Sequence, residues 1–100
     1  MKLPPSIVVG PHTYSVTTDG ISDDLVGDTD CTQLIIRVRA GLPESVTAEV
    51  LIHECLHALW DGTPLRCMDS EVEESVVSAL APGLLELLRR NPKLLAVLVP

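Results

Sequence analysis

The chain has 100 residues, 46% hydrophobic and 21% charged, the size and balance of one small globular domain spanning residues 1–100 rather than a disordered segment. A net charge of −7 removes the general electrostatic route to nucleic acid or an anionic membrane surface. One Trp, one Tyr and no Phe leave little on which to stack single-stranded bases. No apolar run approaches the roughly 18 residues needed to span a bilayer. The start, Met1-Lys2-Leu3-Pro4-Pro5, lacks the apolar stretch of a secretory signal. Cys31, Cys55 and Cys67 are odd in number and form no C-x-x-C pair. They speak against a disulfide framework and a finger-type zinc site, and the expected setting is a reducing cytoplasm.

Residues 6–18 are rich in β-branched side chains and broken by Gly10-Pro11, which predicts two short strands joined by a tight turn. Residues 19–33 hold five aspartates and two glycines and read as an acidic, solvated loop. In 34–39, Ile36 and Val38 alternate with Arg37 and Arg39, the pattern of a third strand exposed on one side. Gly41-Leu42-Pro43 ends it. A helix is expected from Val46 to about Trp60, with Ser45 as N-cap and Gly62 and Pro64 as stops. A second helix begins at Asp69 or Ser70 with acidic residues in its first turn. Its apolar stripe is Val77, Leu80, Ala81, Leu84 and Leu88, and Pro82 predicts a kink or break inside it. Asn91-Pro92 opens a last turn or short helix. The sum is an α+β fold: about three strands packed on one helix, with a glutamate-bearing C-terminal helix beside it.

His53-Glu54-Cys55-Leu56-His57 is an H-E-x-x-H motif. Histidines at i and i+4 stand one above the other on a helix, so two imidazoles can reach one zinc ion. Glu54 sits beside that position without being a ligand, where it can take a proton from a metal-activated water. At this composition the pattern would arise by chance only about 0.006 times. Leu51, Ile52, Cys55, Leu56, Ala58 and Leu59 make the surrounding helix uncharged, as a buried site requires. The bland alternative is a core helix whose histidines are merely hydrogen-bonded.

A catalytic zinc needs a third protein ligand and one open position. The metzincin continuation requires Gly at 60 and His or Asp at 63; this chain has Trp60 and Thr63. The inverted H-x-x-E-H order is absent. That leaves the acidic first turn of the second helix. Glu74 ranks first, because Ser78 lies four residues on along the same face and can hydrogen-bond an imidazole at the metal. Glu73 ranks second and Glu71 third; for these two a solvated helix end is the simpler role. Cys67 is weighed as a fourth, inhibitory ligand, Cys55 as a small core residue, Trp60 as a core anchor and Asp61 as a helix-end residue. His12 and Tyr14 fall on the N-terminal hairpin, so neither is assigned as a transition-state donor.

Leu51-Ile52-His53-Glu54-Cys55-Leu56-His57-Ala58, followed by Glu73-Glu74-Ser75-Val76-Val77-Ser78-Ala79-Leu80-Ala81-Pro82, resembles the gluzincin metallopeptidases in their smallest form, the minigluzincins of phage and bacterial type. The resemblance covers about residues 7–98. Glu74, Ser78, Leu80 and Ala81 are also similar in register to the protease domain that cleaves repressors in mobile elements. Ser78 departs from thermolysin-like enzymes, which carry Asp there. The resemblance implies a zinc ion on His53, His57 and Glu74, and an edge strand at 34–39 on which an extended peptide docks. An ordinary edge whose arginines discourage aggregation is the alternative for that strand.

The leading expectation is a zinc-dependent peptidase with one Zn2+ per chain, Glu54 as general base and a peptide or protein as substrate. The alternative is a non-catalytic, zinc-stabilised binding module, such as an antirepressor or regulatory partner. Glu54 separates the two, since a purely structural site has no need of it. Self-association is left open.

Overall fold

The computed structural model describes residues Met1 to Pro100. The β-branched N-terminal segment pairs as predicted. Strands β1 (Ser6–Val9) and β2 (His12–Thr17) form an antiparallel hairpin in which Val9 meets His12. Gly10 turns the chain at φ +58°, a conformation that favours glycine. The acidic segment is not all loop: Gly27–Asp30 forms a further strand, β3. The third predicted strand is β4 (Ile35–Val38).

The sheet order is β1-β2-β4-β3, with β4 parallel to β2 and antiparallel to β3. The expectation that 34–39 is an edge strand is therefore corrected: β4 lies inside the sheet and β3 is the edge. Its arginines do not stand free in solvent. Arg37 pairs across strands with Asp28 at 3.1 Å, directly opposite in register. Arg39 donates to the carbonyls of Leu25 and Ser22, which fastens the acidic loop to the sheet. Asp30 accepts the backbone N–H groups of Thr32 and Gln33 and so builds the turn between β3 and β4. Leu34 closes that turn at φ +60°.

The alternation read in β4 is realised: Ile36 and Val38 are wholly buried. With Val9 and Tyr14 they meet Val50 and Ala58 of α1 (Glu44–Asp61), and these six residues form the core between sheet and helix. The helix begins two residues before the expected start. Pro43, not Ser45, holds the N-cap position, and its carbonyl accepts from the Thr47 N–H at 2.9 Å. Gly62 ends the helix, as predicted. Trp60 is buried, as an anchor should be, though its Nε1–H finds no partner. A single 3-10 turn, Pro64–Cys67, leads to α2 (Ser70–Arg90). Asp69 is at its N-cap, where its carbonyl, not its side chain, accepts the first N–H groups.

Pro82 does not break α2, which runs on to Arg90 before α3 (Pro92–Leu98). Proline has no N–H for the Ser78 carbonyl and its ring crowds that oxygen, but Ser78 is exposed, so the carbonyl can tilt outward and accept from water. Of the predicted stripe, Val77 and Ala81 are buried, Leu84 and Leu88 are half-buried, and Leu80 is 56% exposed. The reason is the packing partner. The neighbours of α2 are α1 and the short α3, so the helix seals only a narrow line. No helix is long and apolar enough to cross a membrane.

Edge strand β3 approaches α1 closely because residue 27 is glycine. A Cβ there would lie 2.5 Å from Val50 Cγ1 and 3.0 Å from a Glu54 carboxylate oxygen. Val50 is β-branched and has few rotamers with which to yield. Gly27→Ala should destabilise the fold by about 1–3 kcal/mol in urea titration. An unchanged midpoint would show that β3 lifts off the helix without cost.

Candidate metal centre

Helix α1 carries His53, Glu54 and His57, and the first turns of α2 bring Glu73 and Glu74 opposite them. The helical period turns the two imidazoles to one side, with Nε2 atoms 3.2 Å apart. Glu74 straddles them: Oε1 is 3.1 Å from His53 Nε2 and Oε2 is 2.8 Å from His57 Nε2. The ligand atoms of His53, His57 and Glu74 lie within 4.8 Å of one another, and this group could hold a metal ion. Of the three ranked carboxylates, the structure brings Glu74 into the group and leaves Glu73 and Glu71 outside it.

Glu73 is nevertheless not a solvated helix end. His57 Nδ1 lies 2.5 Å from Glu73 Oε2, and its Nε2 lies 2.8 Å from Glu74 Oε2. A ring proton on Nδ1 suits Glu73, because a carboxylate only accepts, and that tautomer frees the Nε2 lone pair for a metal ion. Without a metal ion, the contact between Nε2 and Glu74 needs a proton of its own. Ser78 lies on the face predicted for it but has a different partner. Its hydroxyl donates to Glu74 Oε1 at 3.0 Å, not to an imidazole. Burial works to raise the Glu74 carboxyl, yet the Ser78 hydroxyl and the two imidazoles outweigh it and hold the group below its ordinary value.

Glu54 lies between α1 and β3, lines the same groove as the two histidines without joining their group, and is only 6% exposed. The Thr29 hydroxyl lies 2.9 Å from its Oε1 and 3.0 Å from its backbone carbonyl, and donates to that pair of acceptors. Burial pushes the Glu54 carboxyl up, opposed by that hydroxyl and by the nearby imidazoles. Thr29 is not among the residues expected at the site, and Gly27 is one of the two glycines expected in a loop. The usable sign is a β-branched threonine alternating with Asp28 and Asp30, two residues after that glycine.

A groove of about 750 Å³ runs beside the group, walled by residues 24–29 and Cys31 on one side and by α1 from Val46 to His57 on the other. Cys67 is exposed on the 3-10 turn and is not in the metal-binding group; the cysteine that reaches the groove is Cys31. Cys55 is half-buried against the core, as expected. His12 is exposed and Tyr14 is buried under the sheet, and neither lines the groove. In comparisons with known proteins, no family model, curated protein or solved structure matches the chain.

The three carboxylates should separate in a chelator-competition titration. Glu74→Ala removes a donor atom and should weaken metal binding the most. Glu73→Ala frees the His57 ring and should cost about tenfold. Glu71→Ala should change nothing. A larger loss for Glu73→Ala than for Glu74→Ala would exchange their roles.

Proposed function

We propose that the chain is a zinc-dependent peptidase of the gluzincin kind, with His53, His57 and Glu74 as the zinc-holding residues and Glu54 as general base. The observation that carries this reading is the convergence of two imidazole nitrogens and a carboxylate next to a second, buried carboxylate outside their group. Two imidazoles and one carboxylate are the donor set of a catalytic zinc with one position open. His57 Nε2 lies 3.2 Å from His53 Nε2 and 2.8 Å from Glu74 Oε2, close to the roughly 3.3 Å between donors of a tetrahedron with bonds of about 2.0–2.1 Å, and with one donor atom from each residue the whole set lies within 4.8 Å.

When bound, zinc supplies a Lewis-acid centre that acidifies water and polarises a carbonyl oxygen. The remaining work falls to the chain's own residues. Glu73 fixes the ring and tautomer of His57, and Ser78 orients Glu74. Glu54 takes a proton from the attacking water and returns it to the departing amine nitrogen. A carboxyl raised by burial is better matched to both transfers than an ordinary one. Thr29 holds that carboxylate against the helix. The groove gives an extended peptide a wall on each side of the group. All three cysteines are free, which fits a reducing compartment as the proposed setting.

The test is digestion of unfolded proteins and mixed peptides by the zinc-loaded chain, before and after chelation. Cleavage that chelation abolishes supports the reading; a zinc-loaded chain that cleaves nothing refutes it. The second reading, a non-catalytic zinc-stabilised module, is favoured by one observation: Leu80, Leu87, Leu94, Leu95 and Leu98 stand 40–60% exposed on α2 and α3.

A further inference from the structure

The groove is acidic, but most of its carboxylates are already engaged. Asp28 pairs with Arg37, Glu54 with Thr29, Glu73 with His57, and Glu74 with both histidines. Asp24 accepts the Ser22 hydroxyl and has no cationic partner. Glu49 has neither an ion pair nor a hydrogen bond, and it is exposed on the groove wall. No lysine or arginine lines this cavity.

Glu49 precedes His53 by four residues on the same helix, so it stands on the same face about 6 Å along the axis. An extended peptide repeats its side chains on one face every two residues, about 6.8 Å. A peptide whose scissile carbonyl lies at the metal group therefore places over Glu49 a side chain about two residues away. Apolar surface shares the groove with Glu49: Val46 stands three residues before it on α1, and Leu25 and Val26 line the same groove, all three 40–50% exposed. A carboxylate beside aliphatic surface suits a side chain with an apolar stem and a cationic head, which is the anatomy of lysine and arginine.

We infer that Glu49 is a specificity-determining residue, and that this groove selects peptides carrying Lys or Arg about two residues from the bond at the metal group. The inference rests on the proposed peptide-binding role, with Asp24 at the rim adding to the field and Leu25, Val26 and Val46 taking the aliphatic stem. Asp28 does not compete for the ligand, because Arg37 already neutralises it.

The experiment measures binding as well as cleavage, so that the two proposals fail separately. Fluorescent eight-residue peptides alternating Lys and Leu are compared with the same peptides carrying Glu or Gln for Lys, on zinc-loaded protein at low salt. The Lys peptide should bind about fivefold tighter than the Gln peptide, the upper range for one exposed ion pair, and the advantage should shrink with salt. Glu49→Lys should reverse the order of the Lys and Glu peptides, and Glu49→Gln should narrow it. Glu86→Lys makes the same change in net charge on α2, outside this groove, and should leave the order unmoved. Equal binding of Lys and Gln peptides overturns the inference, as does an equal response to Glu49→Lys and Glu86→Lys. A Lys preference that depends on Glu49 without any cleavage supports the subsite while rejecting the peptidase. Cleavage with no Glu49-dependent preference does the reverse.

Discussion

Removing the metal should lower the melting temperature by about 15–30 °C. Helix α2 contributes only Val77 and Ala81 to the buried residues, so little apolar surface holds it to α1. The group formed by His53 and His57 on α1 and Glu74 on α2, braced by the His57–Glu73 contact, is the other tie between them. A ligand at about 1,000 times its Kd stabilises the folded state by about 4.1 kcal/mol. A 100-residue domain has only about 5–15 kcal/mol in total, and each kcal/mol shifts its Tm by about 4–8 °C. The loss of the ion therefore takes a large share of the margin. Without it, a proton is all that can join His57 Nε2 to the Glu74 carboxylate. The expected stoichiometry is one zinc per chain by elemental analysis, lost in His53→Ala and His57→Ala. Chelation should raise hydrogen exchange in α2 first and leave the β4 amides, next to Ile36 and Val38, protected. A melt that does not move after verified metal removal would place the site outside the stabilising framework.

The difference between what the sequence shows and what it hides follows the range of the interactions. His53, Glu54 and His57 are legible because a helix fixes their relative directions within four residues. Glu74 is legible because the same period places Ser78 on its face, although the hydroxyl bonds the carboxylate rather than an imidazole. The role of Glu73 is not legible, since its partner His57 lies on another helix and the contact depends on how α1 and α2 cross. Strand β3 escapes for a related reason. Gly-Asp-Thr-Asp has poor strand propensity, and only the pairing with β4, the Asp28–Arg37 contact and the clearance left by Gly27 make it a strand. Once β3 occupies the edge, Arg37 and Arg39 become fasteners for the acidic loop. The site thus has two halves, a helical one written in local spacing and a strand one written in long-range contacts. The carboxylate of Glu54 lies where the two halves meet.

Glu54→Gln should give a protein that folds, holds zinc nearly as tightly as wild type, and has lost peptide cleavage by about 10²–10⁴-fold. The substitution keeps the size of the side chain and an oxygen that can accept from Thr29. It removes the ability to take a proton at neutral pH. Glu54 is outside the metal-binding group, so uptake should change little. Its environment makes the experiment sharper than the usual base replacement. The carboxyl is 6% exposed and lies close under Gly27, so a glutamine amide has to share the contact with Thr29 or shift toward Val50. A modest stability change is therefore expected, and zinc content and the melt must be measured on the same sample as the rate. Full cleavage retained by Glu54→Gln would mean a different base or a contaminating enzyme. Equal loss of zinc and of cleavage would mean that Glu54 acts by supporting the site. Unaltered zinc with cleavage reduced across the expected range assigns the proton transfer to this residue, and with it the difference between an enzyme and a zinc-braced fold.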